Sequence, residues 1–269
     1  SYLERRGMSA LGMLEFFELL AEQETLYSSD NDPYLRTHPI TRERIEFVRN
    51  HVNNSKYSDR PLSLQLDVMH RRMRGKLNGF IDPPERTLQF YAADDTDIEA
   101  LYARAIAHMR QNDIDQALDI TNRLLIQSPR DPFILELKGD ILRSSGHIKE
   151  SILPYQEALT IIPWAALIRV NLAQAQLELN DDQQTRDALI NVKEALRYEP
   201  KLVQAWRLAA VSYGRLKDFG NLALALAEQS VAQGRISETR QHVKQAMKLL
   251  AEGSPGWLRA QDIGNTLSE

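Results

Sequence analysis

Three prolines constrain this chain more than any other feature. Pro129, Pro163 and Pro200 stand 34 and 37 residues apart, and small residues recur at fixed offsets around them. Ahead of Pro129 lie Leu101, Ala105, Ala117 and Leu124; ahead of Pro163 lie Leu135, Gly139, Ser151, Tyr155 and Ala158. Ahead of Pro200 lie Ala173, Ala188 and Ala195, with three additional residues expected between two helices around Asp181–Gln184. Trp206, Ala210 and Tyr213 follow it. Small side chains at such a period let two helices of a hairpin approach closely, while aromatic ones fill the gap to the next helix.

The pattern predicts an all-α chain: a tetratricopeptide-repeat (TPR) solenoid preceded by a few non-repeat helices. The expected division is 1–90 for the preceding helices and 91–269 for the repeats, with four recognisable units. The stretch from Phe219 onward reads as two more helices broken at Gly234 and stopped by Gly253, Ser254 and Pro255. A last short helix is expected over Trp257–Ile263. Together these make a degenerate fifth repeat and a cap, because a terminal repeat must turn one face to water.

Residues 1–90 show helical periodicity without repetition. Ser9 precedes an apolar stripe of Leu11, Leu14, Phe17 and Leu20, as a serine cap would. A loop rich in Ser, Asn, Asp and Pro follows over 28–39, then a helix from Pro39 or shortly after, carrying Ile40, Ile45, Val48 and Val52. "LSLQLDVMHRRMRGKLNGF" is a third helix, and "DPPERTLQFYAADDTD" reads as a linker to the first repeat.

Function classes fall away in turn. The absence of cysteine excludes disulfide scaffolds, thiolate metal sites and cysteine nucleophiles. The net charge is −4, with 13 basic and 13 acidic residues in 1–90, so no nucleic-acid partner is expected. The basic run from His70 to Lys76 reads as a solvated or domain-docking face. No apolar run approaches the length of a membrane span. HExxH, phosphate-binding, GxSxG and dinucleotide motifs are absent, and none of the six histidines has a ligand-spaced partner. A complete active site is not expected within this chain. It reads as an interaction module, taking a protein or peptide partner through the groove formed by the first helix of each repeat. Phasing the repeats gives Tyr102, Ile106, Met109, Phe133, Asp140, Arg143, Asn171, Gln174, Arg207, Val211 and Arg215 as candidate groove residues. A free-standing TPR adaptor is the simplest protein of this kind.

One motif points further. His38-Pro39 in a polar loop, followed by Arg44-Ile45 in the next helix, matches HPxxxxRI. With "GMLEFFELLAEQE", "MRGKLNGF", the repeats and "GSPGWLRAQDI", the chain resembles the BepA/HtpX-like bacterial zinc metallopeptidases, the family related to the CAAX prenyl proteases. The resemblance implies that this is the end of a peptidase domain plus its TPR domain. The HExxH zinc ligands, the general base and a further glutamate ligand would then lie upstream of Ser1. It implies no cofactor in this chain and zinc in the parent, a periplasmic location, and outer-membrane-protein assembly components among the partners. His38 would then be a regulatory zinc contact in the parent, approaching the metal's open position as a latch, with Arg44 fixing the loop.

Overall fold

The computed structural model describes residues 2–26, 42–61 and 63–267, with the backbone alone for 23–26. Fifteen α-helices and no strand occur among them. Residues 1–71 and 72–269 form two compact units. This boundary falls earlier than the expected division at residue 90, so residues 72–90 belong with the repeats.

In the first unit, α1 (Tyr2–Arg6), α2 (Leu11–Leu26) and α3 (Arg42–Asn54) precede the start of α4 (Leu64–Ile81). Ser9 Oγ accepts from the amide of Leu11 at 3.1 Å, so the expected serine cap forms. Leu14 buries against Ile45 and Val48, with Phe17, Ala21 and Val52 packed around them. The Arg44 guanidinium lies 5.8 Å from the centre of the Phe17 ring. His38 and Pro39 lie outside the described residues.

The second unit begins in the C-terminal half of α4 and continues through α5 (Pro84–Phe90). This last helix replaces the expected linker. Pro84 occupies the first turn, where proline has no helical N–H to lose, and Thr87 is buried beneath it. Four hairpins follow: α6 (Ile98–Arg110) with α7 (Ile114–Gln127), α8 (Pro132–Ser144) with α9 (Ile148–Ile161), α10 (Ala166–Glu178) with α11 (Asp182–Tyr198), and α12 (Val203–Arg215) with α13 (Phe219–Ala232). Each hairpin turns through three residues whose middle one is left-handed: Asn112, Gly146, Asn180 and Lys217, with φ of 61°, 85°, 53° and 60°. Seven residues before each lies the small residue of the first helix, Ala105, Gly139, Ala173 or Ala210, all buried. The proline phasing is therefore the phasing of the helix crossings.

Two expectations change. The three additional residues of the third unit are not between its helices. Its turn has the same length as the others, and α11 instead runs to 17 residues where α7 and α9 have 14. Asp181 still caps it in the usual place, accepting from the amide of Gln184 at 2.8 Å, so the extra length is taken up as helix. The end of the array is also more regular than a degenerate repeat. α13 joins α14 (Ile236–Leu249) through the same turn, with Gly234 at φ 71°. Ala227, Thr239 and Ala246 stand at the offsets from Gly234 that Ala105, Ala117 and Leu124 have from Asn112, and all are buried. α13 is thus the second helix of one hairpin and the first of the next. α15 (Pro255–Thr266), capped by Ser254, packs on both α13 and α14 and closes the array. No helix among the described residues is long and apolar enough to cross a membrane.

Candidate functional site

The first helices of the hairpins, α6, α8, α10 and α12, carry the candidate groove residues, and their burial sorts them. Tyr102 and Ile106 are 1% and 0% exposed. Tyr102 donates to the carbonyl of Phe133 at 2.8 Å, and Ile106 lies against Gly79 of α4, where a Cβ would come within 2.9 Å of the Ile106 Cβ. These two residues hold the array together and offer no face to a peptide, a correction to the expected groove. The cause is a long-range one: the C-terminal half of α4 lies on this part of the array.

That docking uses the basic run. Arg72 pairs with Asp131, Arg74 with Glu99 at 3.2 Å, and Lys76 with Glu136 at 3.2 Å. Tyr91 donates to Glu99 at 2.7 Å and accepts from Asn78 at 2.6 Å. Gly75 and Gly79 allow the approach, since a Cβ on Gly75 would stand 2.4 Å from the Glu99 carbonyl oxygen. Phe133 remains exposed at its edge, with the Arg72 guanidinium 4.5 Å from its ring centre. The cationic stretch of α4 is a docking face within the second unit.

Beyond it, polar side chains of α8, α9 and α10 form a continuous ladder. Asn171 donates to Glu136 at 3.5 Å and to Asp140 at 3.4 Å. Tyr155, from α9, donates to Asp140 at 2.6 Å, and the Arg143 guanidinium faces the same hydroxyl. Arg143 pairs with Glu178 at 3.2 Å, and Gln174 donates to Glu178 at 3.1 Å. Burial pushes the Asp140 carboxyl up to about 6; the Tyr155 hydrogen bond opposes that rise, and the Glu136 charge adds to it. Burial likewise raises the Tyr155 hydroxyl. Arg143, Asn171 and Gln174 are therefore brought together as expected from phasing. Glu136, Tyr155 and Glu178 complete the ladder, and sequence reasoning missed them. The signal was there: Glu136, Asp140 and Glu178 fall on one stripe of the first helices once the turns are aligned.

On α12, Arg207, Val211 and Arg215 recur every four residues and are exposed. Arg215 donates to the carbonyl of Leu177 at 2.5 Å, at the end of α10, where a cation meets the negative pole of the helix. Arg207 makes no ion pair among the described residues. At the far end Arg259 of α15 grips the buried Glu228 of α13 through two contacts of 2.5 and 3.0 Å. The face is thus covered by α4 at one end and by α15 at the other. Its middle, from Asp140 to Arg215, is open. No group of three His, Cys, Asp or Glu among the described residues could hold a metal ion.

No family model matches the chain. The beta-barrel assembly-enhancing protease of Escherichia coli K12 is 25% identical over 259 residues, covering 94% of this chain and 50% of that protein. Its Yersinia pestis counterpart is 26% identical over 183 residues, 65% of this chain and 37% of the relative. The chain spans about half or less of these relatives' length. Among solved structures, the MamA structure MSR-1 C2 superposes with a TM-score of 0.50 at 17% identity, covering 63% of this chain and 98% of that one. YrrB, a TPR protein with an unusual peptide-binding site, gives 0.50 at 16% identity, covering 67% and 94%. These two likenesses establish the fold alone. This chain thus has the TPR solenoid fold and is similar along 94% of its sequence to the beta-barrel assembly-enhancing proteases, consistent with a C-terminal TPR part of such a protein.

Proposed function

We propose that this chain is the partner-recognising region of a cell-envelope zinc metalloprotease, working in the periplasm on proteins of outer-membrane assembly. The open middle of the first-helix face supports the reading most directly. It presents the exposed guanidinium of Arg207, without an ion pair among the described residues, and that of Arg215 beside the exposed Leu167 and Val211, next to the ladder that Asn171 and Gln174 close. Such a surface suits an extended protein segment whose carbonyl or acidic groups meet the donors while its side chains meet the apolar positions. The relatives' name supports the partner class.

Zinc, on this reading, is held by a preceding catalytic region. His38 would act on that metal from outside as a latch. A pull-down from an envelope extract tests the groove by comparing the intact chain with an Arg207→Glu, Arg215→Glu variant. Selective loss of partners is expected, and equal recovery removes those arginines from the account. For the latch, His38→Ala in a full-length protein should raise proteolysis at unchanged zinc content. An unchanged rate would return His38 to an ordinary loop residue.

A further inference from the structure

The opposite side of α12 carries a second site. Trp206, Ala209 and Tyr213 lie one and two turns apart and, at about 100° per residue, point away from the stripe of Arg207, Val211 and Arg215. They line a cleft of about 300 Å³ between α11, α12 and α13, completed by Leu196, Leu224 and Ala225. The equivalents of Trp206 in the first two hairpins, Leu101 and Leu135, are 0% and 6% exposed. Here the ring remains partly exposed, beside the helix that the three additional residues lengthen. The Trp206 Nε1 donates to the Pro200 carbonyl at 2.8 Å, so the wall it presents is apolar.

The rim is cationic. Lys193 and Arg197 of α11 line the cleft with the amide of Asn221, and no carboxylate does. Lys193 sits 5.5 Å from the Tyr213 ring centre and makes no ion pair among the described residues. Arg197 meets only its own neighbour along the helix, Glu194, at 2.9 Å, with its side chain 76% exposed. An exposed pair of that kind within one helix is weak and yields readily to a better acceptor. An aromatic-walled apolar hollow under two cations fits one chemistry: a large apolar side chain flanked by carboxylates. We propose that this cleft is a second peptide-docking site, separate from the first-helix groove, which takes an acidic segment of a partner protein anchored by an aromatic or branched aliphatic residue. Lys193 and Arg197 meet the flanking Asp or Glu, and Trp206 and Tyr213 enclose the anchor.

Fluorescence anisotropy of a dye-labelled, C-amidated peptide Asp-Glu-Phe-Leu-Asp-Glu tests this on the full chain. A Lys193→Glu, Arg197→Glu variant changes only exposed residues, and an unchanged melting temperature will verify its fold. It should bind about tenfold more weakly, as should the peptide with Asn and Gln in place of its acids. Replacing Phe-Leu by Ser-Ser should abolish binding, and Arg207→Glu with Arg215→Glu should leave it unchanged. Absence of binding by the wild-type chain overturns the proposal, and so does loss through the Arg207 and Arg215 changes alone. Sedimentation completes the test: a dimer that the Lys193 and Arg197 changes dissolve would assign the cleft to a second copy of this chain and overturn the peptide reading.

Discussion

In the second hairpin, Gly139 faces Tyr155 so closely that a Cβ would stand 2.6 Å from the ring. In the fourth, the same two positions hold Ala210 and Leu226, and the later Gly214 has only Leu222 at 3.8 Å from where its Cβ would be. One hairpin fits a phenol by giving up the side chain opposite; the other fits an aliphatic chain and keeps an alanine. The consequence reaches the surface. The Tyr155 hydroxyl carries the ladder of Asp140, Asn171, Arg143 and Glu178, whereas the fourth hairpin has no such hydroxyl and leaves Arg207 exposed without an ion pair among the described residues. Equal backbones with different crossing residues give one self-satisfied polar face and one face with a cation open to a ligand.

The comparison can be broken most sharply at the crossing. Gly139→Leu should overpack Tyr155 and cost about 3 kcal/mol, read as a fall in denaturant midpoint at constant slope. Ala173→Leu, in the third hairpin, should cost roughly 1–3 kcal/mol by the same mechanism. A midpoint that does not move in either would mean that the crossings are not where the repeat phase puts them.

Tyr155→Phe keeps the ring and removes the hydroxyl. It should cost about 1–2 kcal/mol and lift the Asp140 carboxyl further above its ordinary range, because the lost hydrogen bond is the one that holds it down. Asp140→Asn then tests the sign of that titration. A carboxyl raised to about 6 from 3.8 favours folding fully below the lower value and loses that contribution as pH rises through the upper one. The asparagine variant should therefore gain on the wild type between about pH 4 and pH 7, by roughly 1–3 kcal/mol. Parallel stability curves would place Asp140 in an ordinary solvated setting. The smallest effect belongs to Gly214→Ala, expected to be neutral or stabilising by under about 1 kcal/mol in a helix with room for the methyl.

The sequence alone determined the all-α class, the hairpin period and the crossing residues. The reason is local: a helix pair needs a small residue at its closest approach, and that need repeats with the turn. The same logic placed the Ser9 cap, the break at Gly234 and the final helix. It also brought Arg143, Asn171 and Gln174 to one face, since helical phase fixes direction once the turn is known.

Tertiary structure decided the rest. Tyr102 and Ile106 have groove phase yet are buried, because α4 lies over the first hairpins through contacts as far apart in the chain as Lys76 and Glu136, a separation of 60 residues, which leave no periodic trace. The three residues before Pro200 lengthen a helix instead of a loop, since Asp181 caps α11 at the usual turn and helix is what can absorb the surplus. The shared role of α13 depends on a three-residue turn at Gly234 that repeats the turn within each hairpin. Which face stayed open, and which of its charges found partners, was settled by helices distant in sequence, and only packing could bring them there.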